Sequence, residues 1–378
     1  MLKYCKKCVL PNTRPNIIFD KNQVCDGCST SNQKSIEIDW QEREKNFSKL
    51  VDSIKNRSSF YDCLIPVSGG KDSTWQVLTA LSYGLNPLCL TWKTPARNSL
   101  GEKNLQNLIN LGVNHIDFSI NPKVEKKFTL KTFEKFGIPL IPMHMAMHAL
   151  TIQCAINFKI PLIIWGENSA FEYGGNDNTL KGFSLTHEWL KKYGVTNGTV
   201  SSDWIDNDLT EHDLRPYYWP SDKMQEDAGV QAIFLGHFFK WDPLQTFKIA
   251  SENGFLKGEK PKTGHYNFAD IDDEFLITIH HWMKWYKFGF TRLWDNLSLE
   301  IRNERMSRDQ AIKIINDVGY ENPIKEILLF CEYLGINKQD FYNIAEKFRN
   351  KDLWRKDHEV WKIDNFLIKE WNWNYENK

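Results

Sequence analysis

Between residues 61 and 239, short apolar runs alternate with amphipathic stretches. "YDCLIPVS" (61–68) is apolar over most of its length. Such a run bounded by turn residues predicts a buried strand ending at Ser68. "NPLCLTWKT" (86–94), "NHIDFSI" (114–120) and "IPLIIWGEN" (160–168) read the same way, and "QAIFLGHFF" (231–239) is a candidate fifth strand. Between them, "STWQVLTALSYG" (73–84) and "EKNLQNLINLG" (102–112) carry apolar residues at helical spacing and stop at Gly84 and Gly112. A further helical stretch covers about 145–158. Strands that alternate with helices predict an α/β fold, a doubly wound parallel sheet.

Upstream, "SIEIDWQEREKNFSKLVDSIKNR" (35–57) predicts one amphipathic helix. Downstream, "EFLITIHHWMKWYKFGF" (274–290) predicts an aromatic helix packed in a core. The tail "RKDHEVWKIDNFLIKEWNWNYENK" reads as a terminal helix, either ordinary or docking a partner.

The chain has 378 residues, which suggests more than one domain. Its 48 basic and 48 acidic residues cancel, so no global field draws it to nucleic acid or to an anionic membrane. The start "MLKYCKKCVLPNTRP" has no apolar signal region, and no apolar run is long enough to span a bilayer. A cytoplasmic protein with reduced or metal-bound thiols is therefore expected.

Cys5 and Cys8 form one C-x-x-C pair, and Cys25 and Cys28 form another. Two such pairs on a short segment predict a four-thiolate zinc module, because the two-residue gap lets both sulfurs of a pair reach one tetrahedral ion. A closed four-thiolate site has no open position, so its expected role is structural. Cys63, Cys89, Cys154 and Cys331 show no paired spacing and read as small buried residues.

The strand ending at Ser68 runs into "SGGKDS" (68–73) and then a helix. That place is where open α/β sheets bind ligands, and a helix N-terminus favours an anion. Gly69 and Gly70 permit close approach of the main chain to phosphate. Ser68 and Ser73 add hydroxyls, and Lys71 adds positive charge. Asp72 beside a polyanion implies magnesium, with a helix-capping role as the alternative. The loop is neither a Walker A motif nor a G-x-G-x-x-G fingerprint.

"SGGKDS" resembles the PP-loop of the N-type ATP pyrophosphatase superfamily, whose members cleave ATP between the α- and β-phosphates. An ordered set of blocks narrows the resemblance. "CKKCVLPNTRP", "SGGKDS", "WKTPARNSLGEKNLQNL", "WGENSAFEYGG", "LGHFFKWDP", "TGHYNF" and "HHWMKWYKFGFTRLWDNLSLEIRNERMSRDQAI" resemble the N-acetyl sugar amidotransferase family. The likeness runs from Cys5 to about Ile312. It implies an adenine nucleotide α-hydrolase-like fold and ATP-dependent conversion of a sugar's N-acetyl group to an acetamidino group. The implied pathways are lipopolysaccharide O-antigen synthesis and pseudaminic or legionaminic acid synthesis. It further implies an acetamido sugar substrate, UDP-linked, CMP-linked or free, and ammonia from a separate glutaminase. No G-x-C-x-G elbow is present, and Leu2 leaves no N-terminal nucleophilic cysteine. The corresponding organisation is a zinc module over 1–34, an ATP pyrophosphatase domain over 35–250 and a mainly helical region over 251–378 for substrate and partner contacts.

On this reading Lys71, Asp72 and Glu167 are catalytic. Ser68, Gly69, Gly70, Lys71, Asp72, Ser73, Thr91, Trp92 and Gly166 contact the nucleotide, and Asp72 holds magnesium. Asn168, Glu172, Tyr173, His237, Trp241, Asp242, His265 and Tyr266 are substrate candidates. His280, His281, Arg292, Arg302 and Arg305 are weaker ones, since Arg forks suit phosphate or carboxylate. Two other readings remain at this point: a tRNA-modifying PP-loop enzyme, and a non-catalytic zinc-containing assembly subunit.

Overall fold

The computed structural model describes residues 2–58, 60–175 and 181–374. Two helices precede the sheet, α1 (Asp26–Ile36) and α2 (Trp40–Lys55). The segment read as one helix is thus divided. The Asp39 carboxylate accepts from the N–H groups of Gln41 and Glu42 and starts α2 afresh.

Strands β1 (Cys63–Pro66), β2 (Pro87–Trp92), β3 (Asn114–Phe118), β4 (Leu162–Trp165) and β5 (Gln231–Phe234) form one parallel sheet, in the order β3-β2-β1-β4-β5. Helix α3 (Lys71–Ser82) joins β1 to β2, and α4 (Ser99–Ile109) joins β2 to β3. Helices α5 (Pro122–Phe136) and α6 (Ile141–Asn157) then cross to β4 on the other side of β1. The chain reverses direction across the sheet between β1 and β4, and open sheets place their ligand crevice at that point.

Alternate strand residues enter two different cores. Leu64, Leu88, Leu90, Ile163, Trp165, Ala232 and Phe234 pack with α5 and α6 residues such as Phe128, Met145 and Ile152. Cys63, Ile65, Cys89, Leu162, Ile164 and Ile233 pack on the other face with Phe47, Trp75, Val77 and Leu105. A strand buried on both faces needs the continuous apolar run seen in the sequence.

Short helices α7 (Ser169–Glu172), α8 (His187–Tyr193) and α9 (Asp222–Asp227) lie between β4 and β5, and α10 (Pro243–Glu252) follows β5 and packs on α3. The rest is mainly helical: α11 (Leu276–Phe288), α12 (Arg292–Arg302), α13 (Arg308–Val318), α14 (Ile324–Leu334) and α15 (Lys338–Lys347). The tail is a hairpin rather than a helix. Strands β6 (Trp354–Asp357) and β7 (Val360–Ile363) pair antiparallel, and Trp354, Phe366 and Trp371 pack around Trp285. Residues 375–378 of that tail lie outside the described residues. No helix among the described residues is long and apolar enough to cross a membrane.

The third core joins the two ends of the chain. Cys5, Cys8, Cys25 and Cys28 share it with Trp282, Trp285, Trp294, Phe330 and Phe341.

Candidate functional site

The turn between β1 and α3 is shaped by Gly69. Its φ is +84°, and a Cβ there would lie 2.5 Å from the backbone nitrogen of Leu105. Only glycine adopts that backbone and fits against α4. Ser68 Oγ accepts from the Gly70 N–H at 3.2 Å, and the Ser68 N–H donates to Ser73 Oγ at 3.1 Å. Gly70 caps α3 without a side-chain hydrogen bond. The first-turn amides of α3 therefore keep donors for an anion.

Asp72 is fixed from α10 and the loop before it. Its Oδ1 accepts from Trp241 Nε1 at 3.0 Å and from Thr246 Oγ1 at 2.9 Å, and its Oδ2 pairs with Lys71. The Lys71 ammonium lies 5.6 Å from the Trp241 ring centroid and is almost fully buried. Asp72 stays 30% exposed, so its carboxylate can still reach a cation at the loop.

Two cavities meet at Glu167. One of about 350 Å³ lies over the loop, lined by Ser68, Ser73, Thr91, Trp92, Gly166 and Glu167. It also involves residues that sequence reasoning missed: Gln76, Thr94, Arg97, Asp272 and Asp273. Thr91 Oγ1 donates to the Val67 carbonyl at 2.6 Å. Asp273 accepts from the N–H groups of Phe275 and Ile277, both at 3.1 Å, and from Thr94 Oγ1 at 2.9 Å. Burial pushes Asp272 up to about 6 and Asp273 up to about 7.

The second cavity is larger, about 830 Å³, and is lined by Glu167, Tyr173, Arg14, Lys284, Arg292 and Asp295 among others. Burial, with the neighbouring Asp72 charge adding to it and Lys71 opposing it, pushes the Glu167 carboxyl up to about 7. A carboxyl with that affinity takes up or releases a proton near neutrality.

Of the other substrate candidates, Tyr173 lines the larger cavity, as do Arg292 and His280. Glu172 and Asp242 line a separate cavity of about 460 Å³ on the side of the cysteine cluster. There Glu172 makes a buried ion pair with Lys34 at 2.6 Å, and Asp242 caps α10 and pairs with Arg305 at 2.6 Å. Trp241 holds Asp72, as above. Asn168 accepts from the Ala170 N–H and from Trp189 Nε1, both at 3.0 Å, and donates to the Gly182 carbonyl. These bonds shape the turn after β4. His237 packs against Phe183 and Phe238. Tyr266 stacks on Phe268 and bonds Glu300, with His265 edge-on beside it. His281 bonds Thr263 at 3.0 Å. The ten substrate and histidine candidates are thus spread over several environments, while the loop residues and Glu167 converge.

The four cysteine sulfurs lie within 4.8 Å of one another, and all four residues are buried. Cys5 Sγ accepts from the N–H groups of Lys7, Cys8 and Cys25 at 3.3 to 3.4 Å. Arg302 Nη2 donates to Cys25 Sγ at 3.6 Å, and Nη1 to the Glu172 carbonyl at 3.0 Å. Arg302, weighed above as an anion holder, is engaged here. Four converging sulfurs with donors and a cation around them fit zinc, which would supply no chemistry beyond holding the segment together.

Several solved structures resemble the chain, two of them as follows. One, described as the predicted subunit of a tRNA methyltransferase from Methanocaldococcus jannaschii, is 16% identical, with a TM-score of 0.29 over 50% of this chain and 75% of that one. The other, NMN synthetase from Francisella tularensis, is 15% identical, with a TM-score of 0.27 over 60% of this chain and 100% of that one. No curated protein matches. Residues 263–367, from the segment over the loop to just past the hairpin, match the family described as LPS biosynthesis protein WbpG-like, C-terminal domain.

Proposed function

We propose that this protein is an ATP-dependent, AMP-forming amidotransferase that converts the acetamido group of a bacterial surface or flagellar sugar to an acetamidino group. The observation that carries the reading is Glu167, which lines both the loop cavity and the larger cavity. ATP in the first and a sugar amide in the second would meet at that carboxyl. The match of residues 263–367 to an LPS biosynthesis domain supports a surface-sugar substrate.

An amide carbon resists attack because its nitrogen donates into the carbonyl. On this reading the amide oxygen attacks the α-phosphorus, the α–β bond breaks and pyrophosphate leaves. The α3 amides and Lys71 stabilise the charge that builds on the departing oxygens. Ammonia then adds to the O-adenylyl imidate carbon. Glu167 accepts a proton from the new C–N bond's nitrogen, and AMP departs. Asp72 would hold magnesium, which supplies charge neutralisation at the phosphates. Ammonia is taken from a separate glutaminase.

The test combines the protein with ATP, magnesium, an acetamido nucleotide sugar and ammonium. Mass spectrometry should show a product in which O is replaced by NH, with equimolar AMP. Release of ADP without AMP overturns the proposal. A salt-sensitive RNA complex with no sugar product would favour the tRNA-modifying reading instead.

A further inference from the structure

The segment between the two cysteine pairs reaches away from the cluster and into the larger cavity. Thr13 Oγ1 donates to the Phe288 carbonyl at 2.6 Å, and Arg14 Nε donates to Asp295 Oδ1 at 2.9 Å. Asn16 Nδ2 donates to the Lys192 carbonyl at 3.2 Å. Arg14, Pro15 and Asn16 all line the cavity.

The charge there is unbalanced. Among the described residues, Arg14, Lys191, Lys192, Lys284, Lys287 and Arg292 line the cavity, against only two carboxylates, Glu167 and Asp295. Asp295 is 1% exposed and takes both Arg14 and Lys284 at 2.9 Å. One carboxylate thus serves two cations, with Arg292 a third nearby. Arg292 Nε is buried without a hydrogen-bond partner, and its nearest carboxylate, on Asp270, is 3.8 Å away. Arg14 and Arg292 each lie 5.7 Å from the centroid of the Tyr173 ring. Arg14, Lys284 and Arg292 keep 17 to 22% of their side chains exposed. The unpartnered Arg292 Nε and the excess of cations over carboxylates call for an anionic partner, and two neighbouring guanidinium groups match the planar oxygens of carboxylate or phosphate.

We propose that the cysteine clip is a mount for a substrate-binding arginine: Arg14, with Lys284 and Arg292, forms a subsite for the anionic part of an acetamido sugar, whose amide then points toward Glu167. The inference rests on the amidotransferase reading only in taking an acetamido sugar as the occupant. The anion is either a carboxylate on the sugar or the phosphates of a nucleotide carrier. Asp295 holds Arg14 and Lys284 in place, and the Tyr173 ring lies beside both guanidinium groups.

The full-length protein is titrated by calorimetry with N-acetylneuraminate, UDP-N-acetylglucosamine and neutral N-acetylglucosamine, with ATP as a control. At least one anionic probe should bind roughly tenfold or more tightly than the neutral one. Whichever probe does so identifies carboxylate or phosphate as the group held. Arg14→Gln and Arg292→Gln should each weaken that probe about tenfold while ATP affinity stays as in the wild type. Arg14→Lys, which keeps the charge, should recover part of the loss. A folding defect would instead weaken ATP as well. Equal binding of neutral and charged sugars, silence of both anionic probes, or wild-type affinity in both Gln variants overturns the inference. Absence of ATP binding in the wild type would sink the amidotransferase reading and leave the anion preference to stand or fall by itself.

Discussion

Trp241 Nε1 hydrogen-bonds Asp72 Oδ1 at 3.0 Å, so an indole 169 residues downstream sets the angle of a carboxylate on the first turn of α3. Thr246 holds the same oxygen, while Oδ2 is shared with Lys71. Asp72→Asn should therefore lower AMP formation by on the order of a hundredfold or more, and Trp241→Phe by about tenfold, with the circular dichroism spectrum unchanged. Pyrophosphate release measures both. Wild-type rates in Asp72→Asn would remove this residue from the chemistry.

Gly69 has no room for a side chain. Gly69→Ala forces a left-handed residue and sets a methyl against the α4 backbone at Leu105. The turn must shift, at a cost of roughly 1–3 kcal/mol, and the phosphate cradle shifts with it. ATP affinity measured by calorimetry should drop at least tenfold. Gly112→Ala is a useful comparison: its φ is also positive, at +100°, but nothing lies within 4 Å of the added methyl. That variant should lose some stability and keep its ATP affinity.

The Glu167 carboxyl, ordinarily near 4.5 and here pushed up to about 7, predicts two opposite responses to pH. As a proton acceptor it works only when ionised, so the rate should rise with pH and level off above about 7. Stability should run the other way. A carboxyl with a raised folded-state value favours folding while protonated, and that contribution is complete below about 4.5 and lost as pH climbs through 7. Asp272 and Asp273, at about 6 and 7, act in the same direction. Glu167→Gln should remove the rising limb of the rate profile and flatten the fall of melting temperature between pH 5 and 8. A rate profile unchanged in Glu167→Gln would assign the limb to another group.

The cysteine cluster shares its core with Trp282, Trp285 and Trp294. Purified protein should hold about one zinc per chain, and chelation should alter tryptophan fluorescence together with the melting temperature. Cys25→Ser should do the same, since it removes one of the four converging thiolates. Metal loss with unchanged fluorescence and melting temperature would show that the ion does not support this core, and purified protein free of metal would show that the sulfurs merely pack there.

The sheet and the loop were legible because their signals are local. Apolar runs such as Leu162–Trp165 need no partner to be recognised, and "SGGKDS" carries its chemistry in six consecutive residues. Helix α5 had a readable start and stop, with Asn121 as cap, Pro122 in the first turn and Gly137 at the end, yet its charged surface hid the apolar face of Val124, Phe128 and Phe133. The terminal hairpin escaped because its turn runs through His358, at φ +52°, rather than through the Asn-Gly or Asp-Gly that marks such turns. Of the cationic cavity only Arg292 was singled out in the sequence, as a fork for phosphate or carboxylate. Arg14, Lys284 and Asp295 are ordinary charged residues until the fold brings positions some 280 apart into contact. Asp272 and Asp273 were missed for the same reason: nothing in "ADIDDEF" says that it lies over the loop.

The pairing of Arg14 with Asp295, and of the Arg308 side chain with the carbonyls of Cys5 and Cys8, also bears on how the molecule is made. Residues of the cysteine segment find their neighbours 281 to 303 positions further along the chain. Their thiols must therefore wait, exposed and reduced, while the sheet assembles without them, and long-range closure of this kind is slow. Capture of a metal ion by these thiols would then be a late, sealing event in biogenesis, one that a prematurely terminated chain never reaches.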